Sequence, residues 1–370
     1  MPTQFAYLTQ GKLHRRSAET GEDTPIESAF GRSLRDRAAQ IHNRHAWKMK
    51  GSGAQFMYGM LGPAHQHDPG ELRVAITSVC PGREPGSVFY SLETSEVGGI
   101  FAVDPAGVED RLFHTADFRV RHLASSANRD EVAAAIVHGN GCANIAVMRA
   151  DGSGLTEVTE GESMDVAPSW VAGAGPRRLV FQSAGLGRDA AGRFSRLGPA
   201  AIQSLNLDSG ELSTVAEEPQ ADLLCPRMLA DGTLFYIRRP YVTSEVKVSA
   251  LGVVRDTILL PFRLVFAVFQ FFNFFAMRYT GSPLTGAPGV GGAPREGEGP
   301  QAPASWQLMR RASDAAAAEP LAKGVLSFDV GPDGEVIYSN GSAIYRLDAA
   351  SRRSERVLKC SFIEHVAALP

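Results

Sequence analysis

The residues best suited to chemistry lie in one early segment. His65-Gln-His67-Asp68 puts two imidazoles and a carboxylate within four positions, and His42 and His45 precede them. Imidazole nitrogens and carboxylate oxygens are the donors of a divalent-metal site, which needs three or four of them at fixed spacing. Neither group is a complete set, so they read as a chance loop grouping, and no metal and no cofactor is expected. The sequence has no GxSxG elbow, no GxxxxGK[ST] phosphate loop and no HExxH helix, so no catalytic residue is signalled. Gly185-Leu-Gly187 resembles a phosphate-binding turn only weakly and reads as an excursion between strands. The four cysteines (Cys80, Cys142, Cys225, Cys360) are far apart with no CxxC pair, the pattern of buried thiols in a reducing compartment.

Two segments carry binding chemistry instead. Around Arg35, Arg37, Arg44, Lys48 and Lys50, opposed by Asp36, the pattern predicts a basic helix over Leu34–Met49. Ser33 and Asp36 would form its capping box, and Gly51-Ser-Gly53 would end it. Leu34, Ala38 and Ile41 give it an apolar stripe, so it reads as a solvated helix lying on the rest of the fold. The sharper alternative is contact of Arg35, Arg44 and Lys48 with phosphate or anionic lipid.

The second segment, 258–277, is apolar for about the length that crosses a bilayer core and holds seven of the 19 Phe residues. Arg263 and Gln270 fall within about 20° of each other on a helical wheel, and Asn273 within about 80°. Leu264, Val265, Val268, Phe269, Phe271, Phe272 and Phe275 fill the opposite half. A single crossing would strand everything after Trp306 on the far side, and the Gly/Pro-rich return over 281–304 cannot span as a helix. Three readings stay open: an in-plane membrane helix, a helix for a partner or for self-association, and a helix packed on its own domain. Arg255, Arg263 and Arg278 would reach lipid headgroups by snorkelling in the first.

These segments interrupt a repeat. Val74–Val79, Val88–Tyr90 and Ile100–Val103 form three apolar runs separated by turns. The triplet recurs at 122–148, 167–205, 226–309 and 326–347. Phe89 to Ala135 is 46 residues and Ala135 to Val180 is 45, near the roughly 40–50 residues of a four-stranded blade. His365–Leu369 supplies the first strand of a further unit, and Phe5–Leu8 and Leu13–Arg16 its second and third. Pooling the two ends in one unit removes exposed sheet edges. The expected fold is therefore all-β, a six-bladed β-propeller closed by N- and C-terminal strands and carrying two largely helical or loop insertions. The whole of 1–370 is read as one domain, with a basic helical insertion at 29–69 and a second insertion at 241–304 made of the Phe-rich helix and the tether 281–304.

Asp165-Val-Ala-Pro168-Ser169-Trp170, a Gly turn, and Leu179-Val-Phe181-Gln-Ser183 resemble the TolB-type (WD40-like) propeller repeat. Ile145–Met148 with Ala150-Asp-Gly-Ser153 and Leu155–Thr159 is similar to its second half, and Gly331-Pro-Asp-Gly334 to its turn. The resemblance implies a binding scaffold for protein–protein interaction, whose fold occasionally hosts enzymes. The net charge of −3 gives no reason to expect nucleic acid. The start Met1-Pro2-Thr3-Gln4-Phe5 has no basic region followed by a long apolar core, so a cytoplasmic location is expected, peripheral on the inner face of the membrane if 258–277 binds lipid. The alternative function is a metal-dependent lyase or hydrolase whose His and carboxylate residues converge in the channel from several blades.

Overall fold

A computed structural model of the chain describes residues 4–46, 72, 74–242 and 301–369, apart from 19, 95–96, 174, 176, 190–191, 193, 314–316, 332–333 and 350; for 41–46 only the backbone is described. The chain lays down its strands hairpin by hairpin. β1 (Gln4–Thr9), β2 (Lys12–Ser17) and β3 (Asp23–Ile26) come first, then α1 (Ala29–Ala46). β4 (Ala75–Pro81), β5 (Val88–Glu93), β6 (Gly98–Val103) and β7 (Glu109–Thr115) make a four-stranded meander. β8 (Arg119–Ser125), β9 (Glu131–Val137), β10 (Ala143–Arg149) and the short β11 (Thr156–Glu157) make the next unit. β12 (Ser163–Trp170), β13 (Arg178–Arg188), β14 (Phe194–Leu197), β15 (Ala201–Asn206) and β16 (Leu212–Ala216) follow. A parallel bridge from Ala143 to Met164 runs these two units into one nine-stranded sheet. Two more meanders contain β17 (Ala221–Met228), β18 (Leu234–Pro240), β19 (Gln307–Arg311) and β20 (Glu319–Lys323), then β21 (Ser327–Val330), β22 (Val336–Ser339), β23 (Ala343–Asp348) and β24 (Arg353–Lys359). β25 (Ile363–Leu369) pairs with β1, Phe5 opposite Ala368 and Tyr7 opposite Val366, in the sheet β25-β1-β2-β3.

The sequence pattern shows three apolar strands per unit because the fourth is polar: β16 and β24 begin with three and four exposed residues respectively. The inner strands bury both faces, as Val132–Ile136 of β9 do, so they read as continuous apolar runs instead of alternating ones. Their side chains fill the spaces between neighbouring units. Leu8 and Leu13 pack with Tyr90 and Phe101, Phe89 and Ile100 with Val132 and Ile136, and Ala133 and Ile145 with Leu179 and Phe181. Ile202 packs with Leu223 and Tyr236, Phe235 and Ile237 with Phe328 and Tyr338, and Ile337 and Ile344 with Phe5 and Val366. At about 1.5–3 kcal/mol for each fully buried large apolar side chain, these interfaces are the main favourable term. Two of the turns carry Asp-Gly, at Asp151-Gly152 and Asp231-Gly232. Gly152, at φ 88°, is required twice over, since a Cβ there would stand 2.4 Å from the Leu112 carbonyl oxygen.

Helix α1 starts five residues before the predicted Leu34, and the Ser33/Asp36 box is not its cap. Ser28 Oγ accepts the Gly31 N–H (2.9 Å), and the Glu109 carboxylate on β7 accepts those of Ala29 (2.9 Å) and Phe30 (2.8 Å). A carboxylate there also complements the positive end of the helix dipole. Phe30, ahead of the predicted start, is an anchor: its ring lies 5.1 Å from that of Phe101, with the Arg111 guanidinium 5.7 Å from its centre. Leu34 and Ala38 are half-buried.

Candidate functional site

The first strand of each unit (β25, β4, β8, β12, β17, β21) lies against the first strand of the next, in the pairs β25/β4, β4/β8, β8/β12, β12/β17, β17/β21 and β21/β25. Four of these strands carry bulges. Register slips fall at Ile76/Ser78 in β4, Arg121/Ala124 in β8, Val166/Ser169 in β12 and Leu224/Arg227 in β17. In three of them a non-glycine residue takes a left-handed backbone: His122 (φ 52°), Ala167 (φ 54°) and Cys225 (φ 54°). Such a residue costs conformational energy, and the bulge turns backbone groups out of the ladder toward a neighbour.

Those groups, together with a few side chains, join the units. Ser78 Oγ accepts the Leu123 N–H (2.8 Å), Trp170 Nε1 donates to the Ala124 carbonyl (3.1 Å), and Gln182 Oε1 accepts the Cys225 N–H (2.9 Å). Arg227 Nε donates to Asp329 Oδ1 (2.7 Å). Asp329 Oδ2 accepts the Ala368 N–H (2.9 Å), and His365 Nε2 bonds the Val79 carbonyl (3.2 Å). A carbonyl can only accept, so His365 carries its proton on Nε2.

Four of these first strands thereby bring Cys80 and His365 within the charge field of Arg227 and Asp329. The Arg227 and Asp329 side chains keep only 18% and 16% of their surface exposed. Burial disfavours charge on Arg227, and Asp329 restores it and holds the guanidinium more firmly protonated. Burial, with Arg227 alongside, keeps His365 neutral below its ordinary range, and burial pushes the Cys80 thiol up to about 12. That thiol is a poor nucleophile at neutral pH. Both Asp329 oxygens are already bonded, so the arrangement braces strands against one another. Among the described residues no group of three or more His, Cys, Asp or Glu could hold a metal ion. Arg227, Asp329 and His365 fall in strands visible in the sequence, Pro226-Arg-Met-Leu229, Leu326–Val330 and His365–Leu369, and Cys80 directly follows the run Val74–Val79. The signal that marks them is a charged or titratable side chain inside an otherwise apolar first strand.

Of the residues expected to bind a membrane or partner, Arg35 is on α1 and exposed, and Arg44 is on α1 with only its backbone described. Lys48, Arg255, Arg263, Arg278, Leu264, Val265, Val268, Phe269, Phe271, Phe272 and Phe275 lie outside the described residues, as do His65, His67 and Asp68. The stems of the second insertion are described. β18 and β19 pair without interruption from Leu234 opposite Arg311 to Arg238 opposite Gln307, so the chain leaves and re-enters the sheet at one place. There Tyr241 donates its hydroxyl to the Leu197 carbonyl (2.5 Å), at the end of the β13–β14 hairpin. Phe194 on that hairpin and Val242 beside Tyr241 are 60% and 84% exposed. Among the described residues no helix is long and apolar enough to cross a membrane.

Among solved structures, TolB from Acinetobacter baumannii matches with a TM-score of 0.56 at 10% identity, over 99% of this chain and 66% of its own. A chain of the nidogen/laminin complex matches with a TM-score of 0.56 at 8% identity, over 99% of this chain and 98% of its own. Both are β-propeller proteins. The chain has the β-propeller fold. Its likeness to TolB agrees with the Pro168-Ser169-Trp170 repeat, which stands at the end of β12 where the repeat places it. At these identities the likeness is one of fold. The propeller chain spans about two thirds of the TolB length (66%), and its sequence matches no protein-family model and no curated protein.

Proposed function

We propose that the propeller is a closed, six-bladed scaffold for protein–protein interaction, docked to a membrane surface through the apolar segment 258–277. Six blades are favoured by the six interfacial clusters and by the pairing of β25 with β1. The observation that carries the docking role is the unbroken β18–β19 ladder on either side of the insertion. A sheet that closes neatly beneath an inserted segment does not need that segment for its own stability, so the insertion is free to serve contact with something else. Phe194 and Val242 are exposed apolar side chains near the point where the insertion leaves the sheet. Four cysteines without a disulfide suit a reducing compartment such as the cytoplasm.

Liposome flotation of the full chain against a variant lacking 256–279 tests this reading. Wild-type protein is expected to float with anionic vesicles and the variant to stay at the bottom; equal flotation would end the membrane version. Light scattering on the same pair reads self-association, in which case the deletion would lower the mass.

A further inference from the structure

A second site lies on the side of the propeller, far in sequence from the insertion and independent of its role. Between β10, β11 and the turn after β11 opens a cleft of about 520 Å³, lined by His138, Asn140, Cys142, Asn144, Glu157 and Glu160 among others. Asn144 Nδ2 donates to Glu157 Oε2 (2.5 Å), and His138 Nε2 bonds the same oxygen (3.1 Å). Because a carboxylate can only accept, Glu157 fixes which end of the Asn144 amide faces it. The other end, Oδ1, is buried with no hydrogen-bond partner, on a residue only 9% exposed. A buried carbonyl left unbonded is destabilising unless something outside the chain supplies a donor.

The rest of the cleft says what kind of donor. Glu157 is ionised: partial burial pushes its carboxyl up, and the bonds from Asn144 and His138 outweigh that and hold it below the usual range. Its Oε1 is not engaged by either bond, and Glu160 is exposed at the rim. Arg188, which reaches the Asn140 carbonyl (3.3 Å), is engaged by Glu162 (3.1 Å). The cleft therefore offers an amide carbonyl and two carboxylates, one of them, Glu157, paired with His138. No group of metal ligands forms there. A planar guanidinium, with five N–H donors, answers both a carbonyl and a carboxylate edge.

We infer that this cleft binds an organic cation, a guanidinium or primary ammonium group, held by Asn144 Oδ1 and Glu157 with Glu160 at the rim. The group could come from a free small molecule or from an arginine side chain of a partner, and the test separates the two. Calorimetric titration of the full chain would use methylguanidinium and its neutral isostere methylurea, and a capped Gly-Arg-Gly peptide and its citrulline counterpart. Saturable binding of the charged probes and none of the neutral ones is expected. Glu157→Gln should weaken binding about tenfold, the effect of losing one charge-assisted bond; Glu160→Gln, at an exposed position that does not threaten folding, should weaken it less. Tighter binding of the peptide assigns the site to a partner's arginine, and tighter binding of methylguanidinium to a free cation. Equal binding of charged and neutral probes, no saturable binding of either, or full affinity in both variants would overturn the inference.

Discussion

Arg227 and Asp329 form an ion pair that strand-to-strand packing has taken largely out of water, which makes each dependent on the other. Removing one partner leaves an uncompensated charge, at a cost of about 3–5 kcal/mol when burial is complete; the residual exposure of 18% and 16% points to the lower end. Asp329→Ala is accordingly expected to lose about 3 kcal/mol in urea unfolding, and the double variant Arg227→Met, Asp329→Leu to recover much of it. His365 adds a dependence on acid. Its folded-state value is depressed below the ordinary 6.5, so below about pH 6.5 the unfolded chain binds a proton that the folded chain refuses. Its contribution is present in full above that pH and is lost as the pH falls further. Thermal melts between about pH 7.5 and 5.5 should therefore drop more steeply for wild type than for His365→Gln, and parallel curves would dismiss the effect. The Cys80 thiol, pushed up to about 12, should resist alkylation at neutral pH until the protein unfolds, as read by mass spectrometry of the modified peptides.

The lesson of helix α1 is that a local pattern can find an element and mistake its start. Leu34, Ala38 and the basic residues around them mark a helix, and the structure has one. Its true cap, however, includes Glu109, whose carboxylate is distant in sequence and invisible to any short window. Ser28→Ala should cost about 1 kcal/mol, and Glu109→Ala should fray the same turn, both read by chemical unfolding of the full chain. Gly31→Ala is a harsher change, since its Cβ would stand 2.8 Å from Val74 Cγ1 and 3.3 Å from Leu92 Cδ1. The second insertion should behave in the opposite way. Replacing 243–300 by a short Gly-Ser link leaves Arg238 opposite Gln307 and shortens the connection between β18 and β19, and closure cost grows only slowly with length. Circular dichroism and melting temperature are expected to stay close to wild type, and a collapse of either would mean that the segment braces its own sheet.

At the scale of the molecule, apolar repetition carried most of the information. Runs such as Val132–Val137 and Leu234–Ile237 are legible because both their faces meet another sheet, and 45- and 46-residue spacings place them in equivalent units. The outer strands were not legible, since water on their exposed faces asks for no apolar pattern. Neither were the joints among first strands: Ser78, Gln182 and Asp329 look ordinary until bulges in other strands bring backbone N–H groups to them. The cleft at Asn144 escaped for a related reason, because only the pairing of Ala146 with Glu157 sets that carboxylate beside the amide. Deleting Ile363–Leu369 should abolish the cooperative transition in calorimetry, since it strips Val366 and Leu369 from two different interfaces. The same pairing of β1 with β25 sets the order of events during synthesis. Thr9 bonds Ser361, made 352 residues later. At about 5–20 residues per second, the nascent N-terminal hairpin waits on the order of tens of seconds with its Phe5–Leu8 edge unpaired. The cell's chaperones, more than the finished structure, must guard that edge.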